Sequence, residues 1–118
     1  MKVEDLKVRT FQFGIRCVKL AESLPPTRSG GVIANQLLRC GTSVGANYRA
    51  ARRARSRAEF VAKLGIVEEE CDETIYWMEM IRSLGFVKPA ALLHLLREAE
   101  ELLSIIVAAI KTTKRNIK

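Results

Sequence analysis

The chain has 118 residues, which is enough for one domain and too few for two. Its 48% hydrophobic and 28% charged content excludes a disordered or collagen-like protein and is typical of a soluble globular one. The net charge of +7 makes the protein basic, and the low content of proline and glycine favours helices over a β-sandwich or barrel.

The first two helices are predicted from apolar residues that recur at helical spacing. The first is predicted over about residues 4–24, and it ends at Pro25 and Pro26 because proline cannot continue a helix. A turn-rich stretch follows, and the second helix is predicted over about residues 30–54.

The last two helices carry clearer boundary signals. Ser56 and Glu59 form a capping box before the third helix, which is predicted over 57–84 and ends at Gly85. The fourth is predicted over 89–113, and its first residue is a proline, which suits the first turn of a helix.

Short connections between helices of similar length predict an all-α fold, an antiparallel up-down-up-down four-helix bundle, in a single domain over 1–118. The residues predicted to form the core are Leu6, Phe13, Cys17, Leu20, Leu24, Ile33, Leu37, Cys40, Val44, Tyr48, Ala51, Phe60, Leu64, Val67, Cys71, Ile75, Met78, Leu92, Leu96, Ala99, Leu103, Ile106 and Ile110.

The cellular setting is predicted from what the sequence lacks. The longest predominantly apolar run, 102–110, is much shorter than the roughly 20 residues that span a bilayer. The N-terminal residues mix both charge signs, unlike a secretion signal. The three cysteines form no C-x-x-C pair and are expected to be reduced core residues. We therefore expect a cytoplasmic protein with no membrane contact.

The charges are segregated along the chain. Residues 28–63 carry eight basic residues and one acidic residue, whereas residues 68–79 carry six acidic residues and no basic one. Residues 111–118 add four more basic residues. This pattern indicates either a binding surface for a polyanion or basic and acidic surfaces that meet in an assembly, and both can hold at once.

The densest basic run lies at the predicted end of the second helix and in the turn after it. Guanidinium groups at this place could contact phosphates of RNA or DNA without reading the base sequence. The alternatives are a solubilising cluster or a partner for the acidic helix. The candidate nucleic-acid-binding residues are Arg49, Arg52, Arg53, Arg55 and Arg57.

Helices one and three each have a second apolar face, which a monomeric bundle would leave in water. Self-association through these faces is one interpretation, and a broad intramolecular core is the other. The candidate oligomer-interface residues are Phe11, Ile15, Val18, Ile66, Glu70, Glu73, Trp77 and Met80. The two carboxylates need cationic partners, which Arg39 or Arg49 could supply from the same chain or from a neighbour.

Two glycines, Gly41 and Gly45, lie four residues apart in the second helix. Each costs about 1 kcal/mol relative to alanine in a helix interior. We therefore expect another helix to approach closely at this point.

The sequence contains no recognisable catalytic or cofactor-binding motif. His94 is the single histidine and is expected at the surface, so a nucleophile with a histidine base is disfavoured. No Glu-x-x-His metal motif and no glycine-rich phosphate loop occurs. A small-molecule enzyme that uses Glu70 and Glu73 is the least favoured class. We expect a non-enzymatic protein without metal or cofactor.

The sequence of helices two and three resembles the 23S rRNA intervening sequence protein family, also called S23. The resemblance is carried by QLLRCGTSVGANYRAARRARSRAEF and KLGIVEEECDETIYWMEMI, and it extends over nearly the whole chain. Family members often have an acidic residue after the N-Y-R step, where this chain has Ala50. The matching positions are Gln36, Leu37, Arg39, Ser43, Val44, Asn47, Ser56, Phe60, Lys63, Glu70, Glu73, Tyr76 and Trp77.

This resemblance implies a four-helix bundle that assembles as a ring-like homopentamer, and it supplies no catalytic residue. Family genes commonly lie in insertions within bacterial 23S rRNA genes. The chain is also similar to the accessory variability determinant proteins of diversity-generating retroelements, which bind a reverse transcriptase and nucleic acid. The sequence thus predicts an oligomeric scaffold for RNA or for a nucleic-acid enzyme, with a protein-interaction module that binds no nucleic acid as the alternative.

Overall fold

A computed structural model of the chain describes residues 3–116, with side chains from Leu6 onward. Its four helices are α1 (Val3–Glu22), α2 (Arg28–Arg52), α3 (Arg57–Leu84) and α4 (Pro89–Arg115). Each helix packs mainly on the next one in the chain, and α1 and α4 close the bundle with the smallest contact. The molecule measures 50 × 22 × 21 Å. The predicted all-α up-down bundle is confirmed.

The boundaries of α1, α2 and α4 differ from the prediction by at most two residues. The start of α2 was placed too late because Thr27 was assigned to the turn, whereas its side chain accepts a hydrogen bond from the amide of Gly30 at 3.1 Å and caps the helix. At α3, Ser56 accepts from the Glu59 amide at 3.0 Å. Glu59 in turn accepts from the amide of Arg55, one residue before the position that a capping box uses.

The core follows the predicted faces with three exceptions. Phe60, Ile75 and Leu103 were predicted to be core residues and are only half-buried. The faces of α3 and α4 are rotated slightly from the prediction, because both helices carry apolar residues on more than one side. Buried residues that the prediction omitted are Thr10, Ala21, Thr74, Ile81, Leu95 and Leu102.

Helices α1 and α2 lie unusually close together. A methyl group at Gly41 would lie 2.6 Å from Cβ of Cys17, and one at Gly45 would lie 3.0 Å from the carbonyl oxygen of Thr10. The predicted close approach at these two glycines is confirmed. Because α1 sits so near α2, the outward side chains of the two helices share one surface.

An arginine in an ion pair joins α1 to α4, the two helices with the smallest mutual contact in the bundle. Arg9 donates from Nε to Glu98 Oε2 at 3.0 Å and from Nη2 to Glu98 Oε1 at 2.6 Å, and Glu101 lies 3.1 Å from Nη2. A bidentate ion pair of this kind fixes the relative orientation of its two side chains better than a single hydrogen bond does. It thereby holds the half of α1 that carries Phe11.

No helix within residues 3–116 is long and apolar enough to cross a membrane. The three cysteines are buried and free of disulfides, as predicted. Burial raises the pKa of all three thiols, that of Cys71 to about 12, and Cys71 donates from Sγ to the carbonyl oxygen of Ala99 at 3.3 Å. These thiols are packing groups and are not activated nucleophiles.

We expect the protein to lose stability as the pH rises above about 8.5, the pKa of an unfolded thiol. Unfolded thiols release their protons there, whereas the folded Cys71 keeps its proton until about pH 12. At pH 10 the loss from Cys71 alone should be about 2 kcal/mol. Urea unfolding between pH 7 and 10 measures it, and Cys71→Ala should give a shallower slope. An equal slope in that variant would contradict the assignment.

Candidate nucleic-acid interface

The up-down topology brings basic segments that are distant in sequence to one end of the bundle. The end of α2, the start of α3 and the end of α4 meet there, together with the first turns of α1. One hydrogen bond marks the junction, since Arg57 donates from Nη1 to the carbonyl oxygen of Asn116 at 2.7 Å. We call this region the basic end, and its cations are Lys7, Arg49, Arg52, Arg53, Arg55, Arg57, Lys111, Lys114 and Arg115.

The five arginines predicted to bind nucleic acid are all exposed, but two of them have partners within the chain. Arg55 lies 3.6 Å from Glu59, and Arg57 binds the carbonyl at the end of α4. Arginines at the carboxyl end of a helix are also stabilised by the helix dipole, which is a structural reason for part of the cluster.

The remaining three, Arg49, Arg52 and Arg53, form neither an ion pair nor a side-chain hydrogen bond with any residue that the structure describes. They follow one another at helical spacing along the last turn of α2 and its cap. No carboxylate among the side chains of residues 6–116 therefore neutralises these three guanidinium groups.

These three arginines border a cleft of about 700 Å³ between α1 and α2. The side chain of Phe11, which is 55% exposed, lies in the same cleft. The sequence predicts Phe11 for an oligomer interface and the arginines for a separate site, whereas the structure brings them into one cleft. The complete lining, which we call the cleft, is Lys7, Val8, Phe11, Gln12, Arg49, Arg52 and Arg53.

A second, smaller hollow of about 230 Å³ continues along the same α1–α2 surface. Phe11 and Arg49 line both hollows, and Ile15 and Val18 line the smaller one. Ile15 is exposed and Val18 is half-buried in the single chain. Their role in an oligomer stays a prediction.

The predicted second face of α3 is only partly exposed. Trp77 and Met80 are half-buried, and Trp77 packs against the core, whereas Ile66 and Tyr76 are exposed. Tyr76 meets the ring of Trp77 edge-on at a centroid distance of 5.0 Å. The apolar surface that α3 offers to another molecule is therefore smaller than the sequence suggested.

The two carboxylates on this face find their cation within the chain. Arg39 lies 3.3 Å from Glu70 through Nη1 and contacts Glu73 through Nη2, so Arg39 is the partner and Arg49 is not. Glu73 also accepts a hydrogen bond from Nε1 of Trp77 at 3.3 Å. The Arg39 guanidinium lowers the pKa of Glu73, whereas a general acid would need a raised one. This arrangement is a salt-bridged face that joins α2 to α3.

The described residues also contain no candidate metal site. No group of three or more metal-binding side chains occurs in the part of the chain that the structure describes. His94 is exposed on α4, in agreement with the prediction.

Comparison with known proteins gives one family. The sequence profile of the 23S rRNA-intervening sequence protein family matches residues 4–108. A solved structure from Bacteroides thetaiotaomicron, a protein of unknown function from the S23 ribosomal protein family, is 33% identical with a TM-score of 0.86. That match covers 94% of this chain and 99% of the other. No curated protein matches the chain.

Proposed function

The chain belongs to the 23S rRNA-intervening sequence protein family, and we propose that it is a non-enzymatic helical bundle that binds RNA or DNA at its basic end. One observation carries this proposal. Arg49, Arg52 and Arg53 are exposed, form no ion pair with any side chain of residues 6–116, and border an open cleft. A phosphate backbone is the polyanion whose charge spacing and geometry suit such a cluster.

The mode of binding follows from the residue types. A guanidinium group can donate two parallel hydrogen bonds to one phosphate and so hold a strand in place. Phosphates are the same at every nucleotide, so these contacts carry no sequence information. The basic end is about 20 Å across, as the short dimensions of the bundle indicate, so it covers a few nucleotides of a strand. Binding should therefore be sensitive to salt and tolerant of sequence.

We further propose that the protein acts as a homo-oligomer, a homopentamer in line with the family resemblance. Support comes from exposed apolar side chains outside the cleft, of which Val32 and Tyr76 are each more than half exposed. An oligomer would multiply the basic ends and raise a weak affinity for a long strand by avidity. A reverse transcriptase is the protein partner that the resemblance to accessory variability determinant proteins suggests.

A second candidate function is a protein-interaction module that binds no nucleic acid. It is favoured by the outward side of α3, where Glu69, Asp72 and Glu79 are exposed near Ile66 and Tyr76. These carboxylates could meet the basic end of the next copy. In that case the arginines would serve assembly alone.

Light scattering coupled to size exclusion, with and without a short structured RNA, separates the two candidates. Under the first proposal a particle of about five chains gains mass with RNA at low salt and loses it as salt rises. An oligomer whose mass is indifferent to RNA at every salt concentration would favour the interaction module. A monomer would contradict the assembly in both.

A further inference from the structure

We propose that the cleft holds a single-stranded segment of nucleic acid, with one base stacked on the ring of Phe11 and the neighbouring phosphates on Arg49, Arg52 and Arg53. This inference rests on the proposed nucleic-acid binding and names the form of the strand. It is carried by the juxtaposition, in one cleft, of an exposed aromatic ring and guanidinium groups that pair with no side chain of residues 6–116.

The position of Phe11 is fixed by the packing of its backbone. A methyl group at Gly45 would lie 3.0 Å from the carbonyl oxygen of Thr10 and 3.3 Å from the amide nitrogen of Phe11, so α1 rests directly on α2 at this level. The next turn of α2 carries Arg49, and the ring of Phe11 lies beside it in the cleft. The backbone that carries the ring is already fixed in a packed helix and does not need to be ordered on binding.

The positive charges around the Phe11 ring favour a nucleotide strand over an apolar helix as the occupant of the cleft. An apolar helix from another protein could cover Phe11. It would also remove the hydration of Lys7, Arg49 and Arg52 without supplying negative charge to neutralise them. A nucleotide strand offers a flat aromatic face and an anion on each side of it. Stacking of bases on aromatic side chains beside a cationic track is the usual way in which proteins hold single strands.

The same geometry excludes a duplex from the ring. Bases in a duplex are stacked on each other and their faces are not accessible, so only phosphates could reach the basic end. The cleft volume of about 700 Å³ lies within the range of pockets that hold small organic ligands. A duplex should therefore bind through the arginines alone and should not depend on Phe11.

The test measures the fluorescence anisotropy of three labelled probes, a 12-nucleotide uridine RNA, a 12-nucleotide thymidine DNA and a mixed-sequence 12-base-pair RNA duplex. Phe11→Ala and Phe11→Leu should each weaken binding of the uridine RNA by roughly tenfold and leave duplex affinity within about twofold of wild type. Phe11→Trp should bind at least as tightly as wild type. Leu84→Ala, which removes an exposed apolar side chain at the opposite end of the bundle, should change neither affinity.

A spectroscopic readout makes the stacking visible. In a Trp77→Phe background, the tryptophan of Phe11→Trp is the only one in the chain. The uridine RNA should quench its fluorescence and the duplex should not. Comparing the uridine RNA with the thymidine DNA shows whether the strand must be RNA, because stacking alone would give the two probes similar affinities.

Three outcomes would overturn this inference alone, and a fourth would overturn the proposed function on which it rests. Phe11→Leu with wild-type affinity would show that the ring is not stacked, and equal losses on single strand and duplex would show that it serves the fold. Dissociation of the oligomer by Phe11→Leu would place the ring in a subunit interface. Wild-type protein that binds no probe at low salt would instead overturn the proposed function itself.

Discussion

Reversing two charges with Arg52→Glu and Arg53→Glu is expected to weaken RNA binding by roughly 100-fold or more at low salt, since each lost charge-assisted hydrogen bond is worth about 1.5–3 kcal/mol. Both side chains are exposed, and neither has an ion-pair partner among the side chains of residues 6–116 that the change would leave unpaired. The glutamates oppose the helix dipole at the end of α2, at a cost of about 0.3–1 kcal/mol each. A bundle of ordinary stability tolerates this loss.

The matched control is Arg82→Glu with Lys88→Glu, which changes the net charge equally at the opposite end of the bundle. Both residues are exposed near the turn between α3 and α4. Fluorescence anisotropy with a short labelled RNA should show a large loss for the first pair and a small one for the control. Equal losses would mean that total charge, and not the basic end, governs affinity. Loss of assembly in the first pair would favour the interaction module.

Gly41→Ala is expected to destabilise the fold by about 2 kcal/mol, although alanine is the better helix former. The added methyl group would lie 2.6 Å from Cβ and 2.7 Å from Sγ of Cys17. These atoms lie next to the backbone of α1 and can move away only if the two helices separate. The separation would also disturb the cleft, whose walls are α1 and α2.

The chain contains a matched control for this substitution. Gly65 lies within α3, and a methyl group there would have no neighbour within 4 Å, so Gly65→Ala should stabilise the protein by about 1 kcal/mol. Adding Cys17→Gly to Gly41→Ala should remove the clash and give a favourable coupling in a double-mutant cycle measured by urea unfolding. If Gly41→Ala stabilised the protein as Gly65→Ala does, the close α1–α2 contact would be wrong.

The helices and most of the core were predictable because the boundary signals are local. The capping pair before α3 and the left-handed Gly85 after it, with φ 68°, gave its limits without error. The misplaced core residues fall where apolar residues crowd the helix. Residues 102–110 of α4 are almost all apolar, so periodicity alone could not choose Leu102 over Leu103.

The candidate site was predictable only in part because it depends on how distant helices align. The arginines were visible as a run, but their meeting with Phe11, Lys7 and the end of α4 is set by the register between helices. Gly41 and Gly45 predict that another helix lies close to α2, but they identify neither α1 as that helix nor the residues of α1 that face them. The same limit left open which chain would supply the cation for Glu70 and Glu73.

The most direct test of the basic end as a nucleic-acid interface is the salt dependence of RNA affinity, measured by anisotropy between about 50 and 300 mM salt. Three arginines on the phosphates of a single strand predict that the logarithm of affinity falls with the logarithm of salt concentration with a slope of roughly −2 for each bundle. Reversal of Arg52 and Arg53 should abolish most of this slope. An RNA that does not bind at 50 mM salt, or an affinity that salt does not change, would contradict the account.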